Sequence, residues 1–386
     1  MNHWLPNLPH LPFVATPGER TALARERYFG AGQRPTGLVD EAVLQSWQRC
    51  LQQHREPQER CEIQPVSRLR LDTALRRARA LREAARSELS LLERSLAATA
   101  CTVLLVDPQG LIVYASQPGE RQDGLARALA RPGVDVSERV LGTNAPGLVV
   151  ATGQACALDG GEHFFDEVGG MRCAAAPIRD IHGTLAGVLD LSVEHRGFGF
   201  DPAALVGLHA QAMERSLRVA QSGGLTLVEL HVHPALLGTP GSGLMAVDEA
   251  GRVAWVDAAA QRLVGARVGV VGEALCCEQV LGIGLARLRQ LGARAHPSTL
   301  PLPNGLQVWL AVRLPAGASA EPVQESPGDL TGAASAGASA AEAPSSLAEQ
   351  ERNAILATLQ ACGGNVSEAA RRLGVSRGKV YRTLSA

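Results

Sequence analysis

The chain has 386 residues, with 46% hydrophobic and 19% charged side chains and a formal net charge of −1. That is apolar material for two or three domains with buried cores, and too little positive charge for a uniform nucleic-acid coat. Lys379 is the single lysine and sits in Ser-Arg-Gly-Lys-Val, which excludes the Walker phosphate loop, the kinase strand lysine and Schiff-base chemistry.

Residues 1 to about 20 are rich in proline and are expected to be poorly ordered. They lack the basic-then-apolar pattern of a secretory signal, and no run of about 18 apolar residues follows anywhere. The eight cysteines form no disulfide framework, so a cytoplasmic setting is expected. A first helix is predicted over 39–52, with Leu44, Trp47 and Leu51 on one face. From 66 to 98 no glycine or proline occurs, and Leu71, Leu75, Ala78, Leu81, Ala85, Leu89, Leu92 and Leu96 recur at steps of three and four, the spacing of an amphipathic helix. Two readings stay open for it: a helix lying on the next domain's sheet, or a dimerisation seam. Residues 1–98 are therefore set apart as an N-terminal helical region.

Residues 99–221 read as a mixed α/β unit. CTVLLV and LIVYAS flank Asp107-Pro108-Gln109-Gly110, and MRCAAAPIR and TLAGVLDLSV flank Asp180-Ile181-His182-Gly183. Each is a turn with Asp first and Gly last. A helix over about 202–220 closes the unit. Residues 222–314 repeat the device: GLMAV and RVAWV flank Asp248-Glu249-Ala250-Gly251, a short helix follows over 258–264, and Asn304-Gly305 marks a final hairpin. From 315 to 346 small and breaking residues dominate and every charge is acidic, the composition of a flexible linker.

From Leu347 the balance inverts, with six basic residues against three acidic ones. Ile355, Leu356 and Leu359 stripe a helix that stops at Gly363-Gly364. Asn365 can cap a second helix, ended by Gly374, and Ser376 can cap a third. Two short helices around Gly-Val-Ser have helix-turn-helix spacing. In that arrangement Arg377, Lys379 and Arg382 lie on the outer face of the third helix, suited to a major groove, while Arg371 and Arg372 suit phosphates. Ser376 and Tyr381 complete the candidate DNA-facing set. The bland reading is a three-helix dimerisation cap with a solvated basic face.

The segment GGNVSEAARRLGVSRGKVYRTL resembles the Fis-type helix-turn-helix that ends bacterial enhancer-binding activators, and departs from it at Gly378-Lys379, where that family has an uncharged pair ending in Thr. Upstream, SWQRC at 46–50, LGTNAPGL at 141–148, GEHF at 161–164, RCAAAPIRD and GVLDLS resemble the GAF-domain region of acetoin- and glycerol-type regulators. Residues 240–314 resemble a PAS domain more distantly. The resemblance implies a multidomain α+β protein: a GAF-like sensor, a smaller PAS-like unit and an all-α helix-turn-helix. It also implies a small-molecule effector, with Asn144, His163, Phe164, Arg172 and Cys173 as candidate lining residues. Those activators carry a central ATPase that this chain lacks, so ATP-driven sigma-factor remodelling is not expected.

Glu229, His231 and His233 alternate, so a strand would put them on one face, either for a metal or as a solvated surface. No cofactor is implied. The resulting expectation is a dimeric, effector-responsive regulator that binds double-stranded DNA, not an enzyme and not a membrane protein. Two alternatives remain: an anti-activator that pairs with an ATPase-bearing relative, and a GAF-type methionine-sulfoxide reductase using Cys156 and Cys173.

Overall fold

The computed structural model describes residues 16–61, 63–117, 124–265, 275–294 and 296–315, and residues 358, 365–373, 375 and 377 of the C-terminal segment. The chain divides into two units, 1–321 and 322–386.

In the first unit, α1 (Pro17–Arg25) opens with a capping box between Thr16 and Glu19, so ordered structure starts within the stretch expected to be loose. The predicted 39–52 helix is α2 (Glu41–Gln52), capped by Asp40. The single helix expected over 66–98 is two: α3 (Arg68–Arg77) and α4 (Arg79–Leu96), which part at Ala78. Ala78 has φ −80° and ψ 5° and its N–H bonds back to the Ala74 carbonyl. No breaker residue announces the step.

Five strands follow: β1 (Thr102–Val106), β2 (Ile112–Ala115), β3 (Cys156–Asp159), β4 (Met171–Arg179) and β5 (Leu185–Glu194). Their order is β2-β1-β5-β4-β3, with every pairing antiparallel. Between β2 and β3 lie α5 (Gly124–Leu129), α6 (Glu138–Leu141) and α7 (Ala145–Thr152), and α8 (Pro202–Gln221) follows β5. Both faces of the sheet are covered, which is why β1 reads as an unbroken apolar run. Leu81, Ala85, Leu89, Leu92 and Leu96 of α4 pack with Met213 and Leu217 of α8 over Leu105, Ile178 and Leu189. The apolar stripe of α4 is thus consumed by the sheet. The opposite face, Leu104, Val106 and Ala175, meets Val43 and Trp47 of α2 and Leu148 of α7.

The second sheet comprises β6 (Thr226–His231), β7 (Gly243–Val247), β8 (Val253–Val256), β9 (Ser298–Pro301) and β10 (Gln307–Arg313), in the order β8-β7-β6-β10-β9, again antiparallel throughout. Numbered from its own first strand this is 3-2-1-5-4, a circular permutation of the first sheet's 2-1-5-4-3. The central strand closes the first sheet and opens the second, with α8 between them. α9 (Ala258–Val264), α10 (Cys277–Leu281) and α11 (Leu285–Gly292) cover one face of this sheet.

The three Asp-x-x-Gly turns share one construction. Asp107 Oδ1 accepts from the Gln109 and Leu111 N–H groups, Asp180 Oδ1 from His182 and Thr184, and Asp248 Oδ1 from Ala250 and Arg252. The fourth residue of each, Gly110, Gly183 or Gly251, has φ of +75° to +85°, where a Cβ is strained. In the C-terminal unit the helix Val366–Leu373 is described; Asn365 Oδ1 accepts from the Glu368 N–H at its start. Ala370 is buried against Val366 and Val375.

Candidate functional site

The strand registers assemble a polar cluster inside the first sheet's helix-covered face. Cys173 on β4 lies opposite Ser192 on β5, and Ala175 lies opposite Asp190. Cys173, Asp190 and Ser192 therefore point to one side, because a strand alternates its faces. His163 reaches over them from the loop that precedes β4. Together with Asn144, Leu104, Leu129, Val136, Leu141 and Met171 these side chains line a cavity with about 20 Å³ of water-sized space.

The polar groups form a chain. His163 Nδ1 lies 2.9 Å from the Gly160 carbonyl, so it carries the proton and donates, leaving Nε2 to accept from the Cys173 thiol at 3.6 Å. Ser192 Oγ lies 3.2 Å from Cys173 Sγ and donates to Asp190 Oδ2 at 2.6 Å. Asp190 is fully buried and its Oδ1 has no partner. Burial lowers His163 to about 4 and raises Asp190 to about 7. It also pushes the Cys173 thiol far above its usual range, with the Asp190 charge adding to the rise. The Cys156 thiol moves upward for the same reason. Nucleophilic cysteines need the opposite shift, so nothing here activates either thiol for sulfoxide reduction.

These shifts set a pH dependence. Folded Asp190 keeps its proton up to about pH 7 whereas its ordinary value is 3.8, so the folded state binds more protons and stability falls as pH rises from 4 to 7. Glu162, raised by burial from 4.5 to about 7, acts in the same direction. His163, lowered from 6.5, acts in the opposite one between about pH 4 and 6.5. Replacing Asp190 by Asn should remove one proton's share of the fall, on the order of 1.4 kcal/mol per pH unit. Urea unfolding of both chains between pH 4.5 and 7 measures it; parallel profiles would contradict the burial argument.

Of the five residues expected to line an effector pocket, three meet at the cavity: Asn144, His163 and Cys173. Asn144 acts there as the N-cap of α7, with Oδ1 accepting from the Gly147 N–H and Nδ2 donating to the Gly142 carbonyl. Phe164 does not line it; its ring packs edge-on against Phe29 and Phe165 in the adjoining core. Arg172 does not either, because it alternates with Cys173 and pairs with Asp159 at 2.6 Å on the surface. Sequence reasoning missed Asp190 and Ser192. Their signal was an acidic and a hydroxyl residue within the otherwise apolar run VLDLSV.

The SWQRC segment holds α2 against the cavity's surroundings. Ser46 Oγ donates to Glu138 and is 2.7 Å from Thr143 Oγ1, Arg49 makes two bonds to the Glu138 carboxylate, and Trp47 Nε1 donates to the Glu162 carbonyl. From α1, Arg25 donates to the Gly161, His163 and Phe164 carbonyls and pairs with Asp166. The His163 loop is fixed from two helices at once.

Glu229, His231 and His233 do not share a strand face. β6 ends at His231, and His233 caps the following 3-10 turn by accepting from the Ala235 N–H. His231 Nδ1 accepts from the His233 N–H. Glu229 is buried rather than solvated, and bonds Arg215 at 2.8 Å, Ser242 and the Gly238 N–H. No group of three or more His, Cys, Asp or Glu placed to hold a metal occurs among the described residues.

In the C-terminal unit, Arg371 and Arg377 are exposed, and Arg371 pairs with Glu368 at 3.0 Å. Arg372 lies in the same helix as Arg371. Ser376, Lys379, Tyr381 and Arg382 lie outside the described residues. Among the described residues no helix is long and apolar enough to cross a membrane.

Residues 16–213 match the family described as MimR, N-terminal domain, and residues 346–385 match the bacterial regulatory protein Fis family. The acetoin catabolism regulatory protein of Cupriavidus necator is 29% identical over 66% of this chain and 39% of its own length. The propane 2-monooxygenase operon transcriptional activator MimR of Mycolicibacterium smegmatis is 33% identical over 45% of this chain and 29% of its own. The chain therefore spans well under half of either relative. The solved E. coli DhaR(N)–DhaL complex is 16% identical, covering 72% of this chain and 100% of that one, with a TM-score of 0.44. The likeness to acetoin-type regulators with a Fis-type terminal module holds in both segments that carried it.

Proposed function

Because this chain belongs to the family of the MimR N-terminal domain, we propose that it is a sequence-specific, DNA-binding transcription regulator that responds to a small molecule held in the first sheet's cavity. The observation that supports the reading is the pairing, in one chain, of a Fis-family module at 346–385 with a sheet that holds a buried polar cluster beside a small cavity. Residues 99–221 act as sensor and 222–314 as relay, and the segment at 315–346 joins them to the terminal module in sequence. With Lys379 as the single lysine there is no phosphate loop, so regulation proceeds without ATP-driven remodelling, by occupancy of the operator. The regulator works in the cytoplasm as a homodimer, whose two modules address half-sites about 34 Å apart.

Genome-fragment affinity sequencing with the purified full chain tests this. The expected result is a small set of enriched fragments carrying inverted repeats, with binding that falls by about 0.9 log unit per log unit of salt for each phosphate contact. Recovery of fragments without regard to sequence would overturn it.

A further inference from the structure

A second concentration of positive charge lies outside the terminal module. Residues 68–86 carry seven arginines against Asp72 and Glu83, a net charge of +5 in 19 residues of a chain whose total is −1. They form α3 and the first half of α4, whose Ala74, Ala78, Leu81 and Ala85 are spent on the sheet. The arginines are left outward. Arg68, Arg76, Arg77, Arg82 and Arg86 are exposed, and none of the five has a carboxylate partner among the described residues. The other two are paired, Arg70 with Asp135 and Arg79 with Glu83, the latter pair exposed on both sides. Arg79, Arg82 and Arg86 border a groove with about 210 Å³ of water-sized space, lined also by Leu89, Ser90 and Tyr114.

We propose that this face of α3 and α4 is a second DNA contact, which binds the phosphate backbone of duplex flanking the operator. The proposal rests on the chain being a DNA-binding regulator.

The planar guanidinium fork matches phosphate oxygens. Arg79, Arg82 and Arg86 cover about 10 Å of helix axis, a length over which one DNA strand presents about three phosphates. The Arg79–Glu83 pair is no obstacle, because an exposed pair at this spacing holds little and a phosphate can take the place of Glu83. A single small anion would occupy the groove and leave Arg68, Arg76 and Arg77 of α3 unused, whereas a polyanion engages both helices. An acidic protein is the competing polyanion. Protein interfaces centre on apolar and aromatic anchors and keep charge to the rim. Between 68 and 86, Leu69 alone is an exposed large apolar side chain. Interfaces with DNA are polar and positively charged, as this face is. Backbone contacts carry no sequence information, so the face adds affinity and leaves the choice of site to the terminal module.

The test compares the full chain with two double variants: Arg82→Gln with Arg86→Gln, and, as a control, Arg287→Gln with Arg289→Gln. The control removes the same net charge from exposed arginines of α11. Fluorescence anisotropy follows binding to an enriched fragment's repeat flanked by about 20 base pairs on each side, and to the repeat trimmed of its flanks, across about 50–200 mM salt. On the flanked duplex the α4 variant is expected to bind at least about fivefold more weakly and to lose about 1.8 from the log-log salt slope, two contacts' share. On the trimmed duplex, and in the control on both duplexes, affinity should stay within about twofold of wild type. An α4 variant that matches wild type on the flanked duplex, or a control that loses as much, would overturn the proposal. Poly-glutamate that binds wild type but not the α4 variant, while flanked-duplex binding is unchanged, would overturn it in favour of an acidic protein. In each of these outcomes the DNA-binding reading stands. If the wild-type chain binds neither duplex, that reading falls together with the proposal.

Discussion

Replacing Arg377 and Arg382 together by alanine is expected to remove selective DNA recognition from an otherwise folded chain. Arg377 is exposed and follows Ser376, the residue that can cap the third helix of the terminal module. In a helix-turn-helix, the first turn of the recognition helix enters the major groove. A bidentate arginine there discriminates its base by about 1–3 kcal/mol, roughly 5- to 150-fold in affinity for each position. Arg382 comes five residues later in the same predicted helix. Arg371 has a different expected signature. Its pair with Glu368 is exposed on both sides and worth about 1 kcal/mol or less, so a phosphate can replace the glutamate. Arg371→Ala should therefore weaken all DNA alike and lower the salt slope by about one contact's share. Fluorescence anisotropy against an enriched fragment and a scrambled one separates the two. If the double variant keeps the wild-type ratio between them, Arg377 and Arg382 do not read bases.

What could be read from the chain followed the range of the interaction. The three Asp-x-x-Gly turns were legible because everything that makes them lies within five residues: an aspartate collecting two N–H groups and a glycine at positive φ. The hairpin at Asn304-Gly305 was legible for the same reason, and β9 and β10 do pair across it. The break at Ala78 was not, because alanine favours a continuous helix and the apolar stripe runs through the step without a change of spacing, with Ala74, Ala78 and Leu81 all buried in one core. The polar cluster was half legible. His163 and Cys173 stood out by residue type, whereas Asp190 joins them only through the β4–β5 register that sets Cys173 against Ser192, 19 residues away. Arg172, one position from Cys173, does not line the cavity because alternation along β4 decides its side, and that requires knowing which face is covered. The permuted order of the second sheet was likewise invisible. Whether β6 sits at the edge or the centre is a question of long-range pairing that no local signal answers.

Trp47→Ala is expected to produce the largest loss of stability in the first unit. Trp47 is fully buried, with ring centroids 4.9 Å from Phe29 and 5.6 Å from Tyr28, and the Arg25 guanidinium 5.9 Å from its ring. Removing a buried tryptophan costs about 3–5 kcal/mol through lost burial and the cavity left behind. That is a large share of the 5–15 kcal/mol typical of a folded domain. Trp47→Phe separates two parts of the effect. It keeps an aromatic ring in the cluster but strips the Glu162 carbonyl of its 2.9 Å donor, a loss of about 1–3 kcal/mol. Urea unfolding followed by circular dichroism ranks the variants, with Ala below Phe below wild type. A change under about 1 kcal/mol for Trp47→Ala would show that the aromatic cluster does not hold the unit together. The loss should also reach the cavity. Glu162 is the neighbour of His163, and the carbonyls of 161, 163 and 164 are held by Arg25, whose guanidinium stacks on Phe29 and Trp47. Loosening that cluster frees the loop that carries His163, so amide exchange at 160–166 should accelerate in Trp47→Phe before the sheet itself opens. The order of the His163 loop and the packing of α1 and α2 are on this view one property, because the same tryptophan secures both.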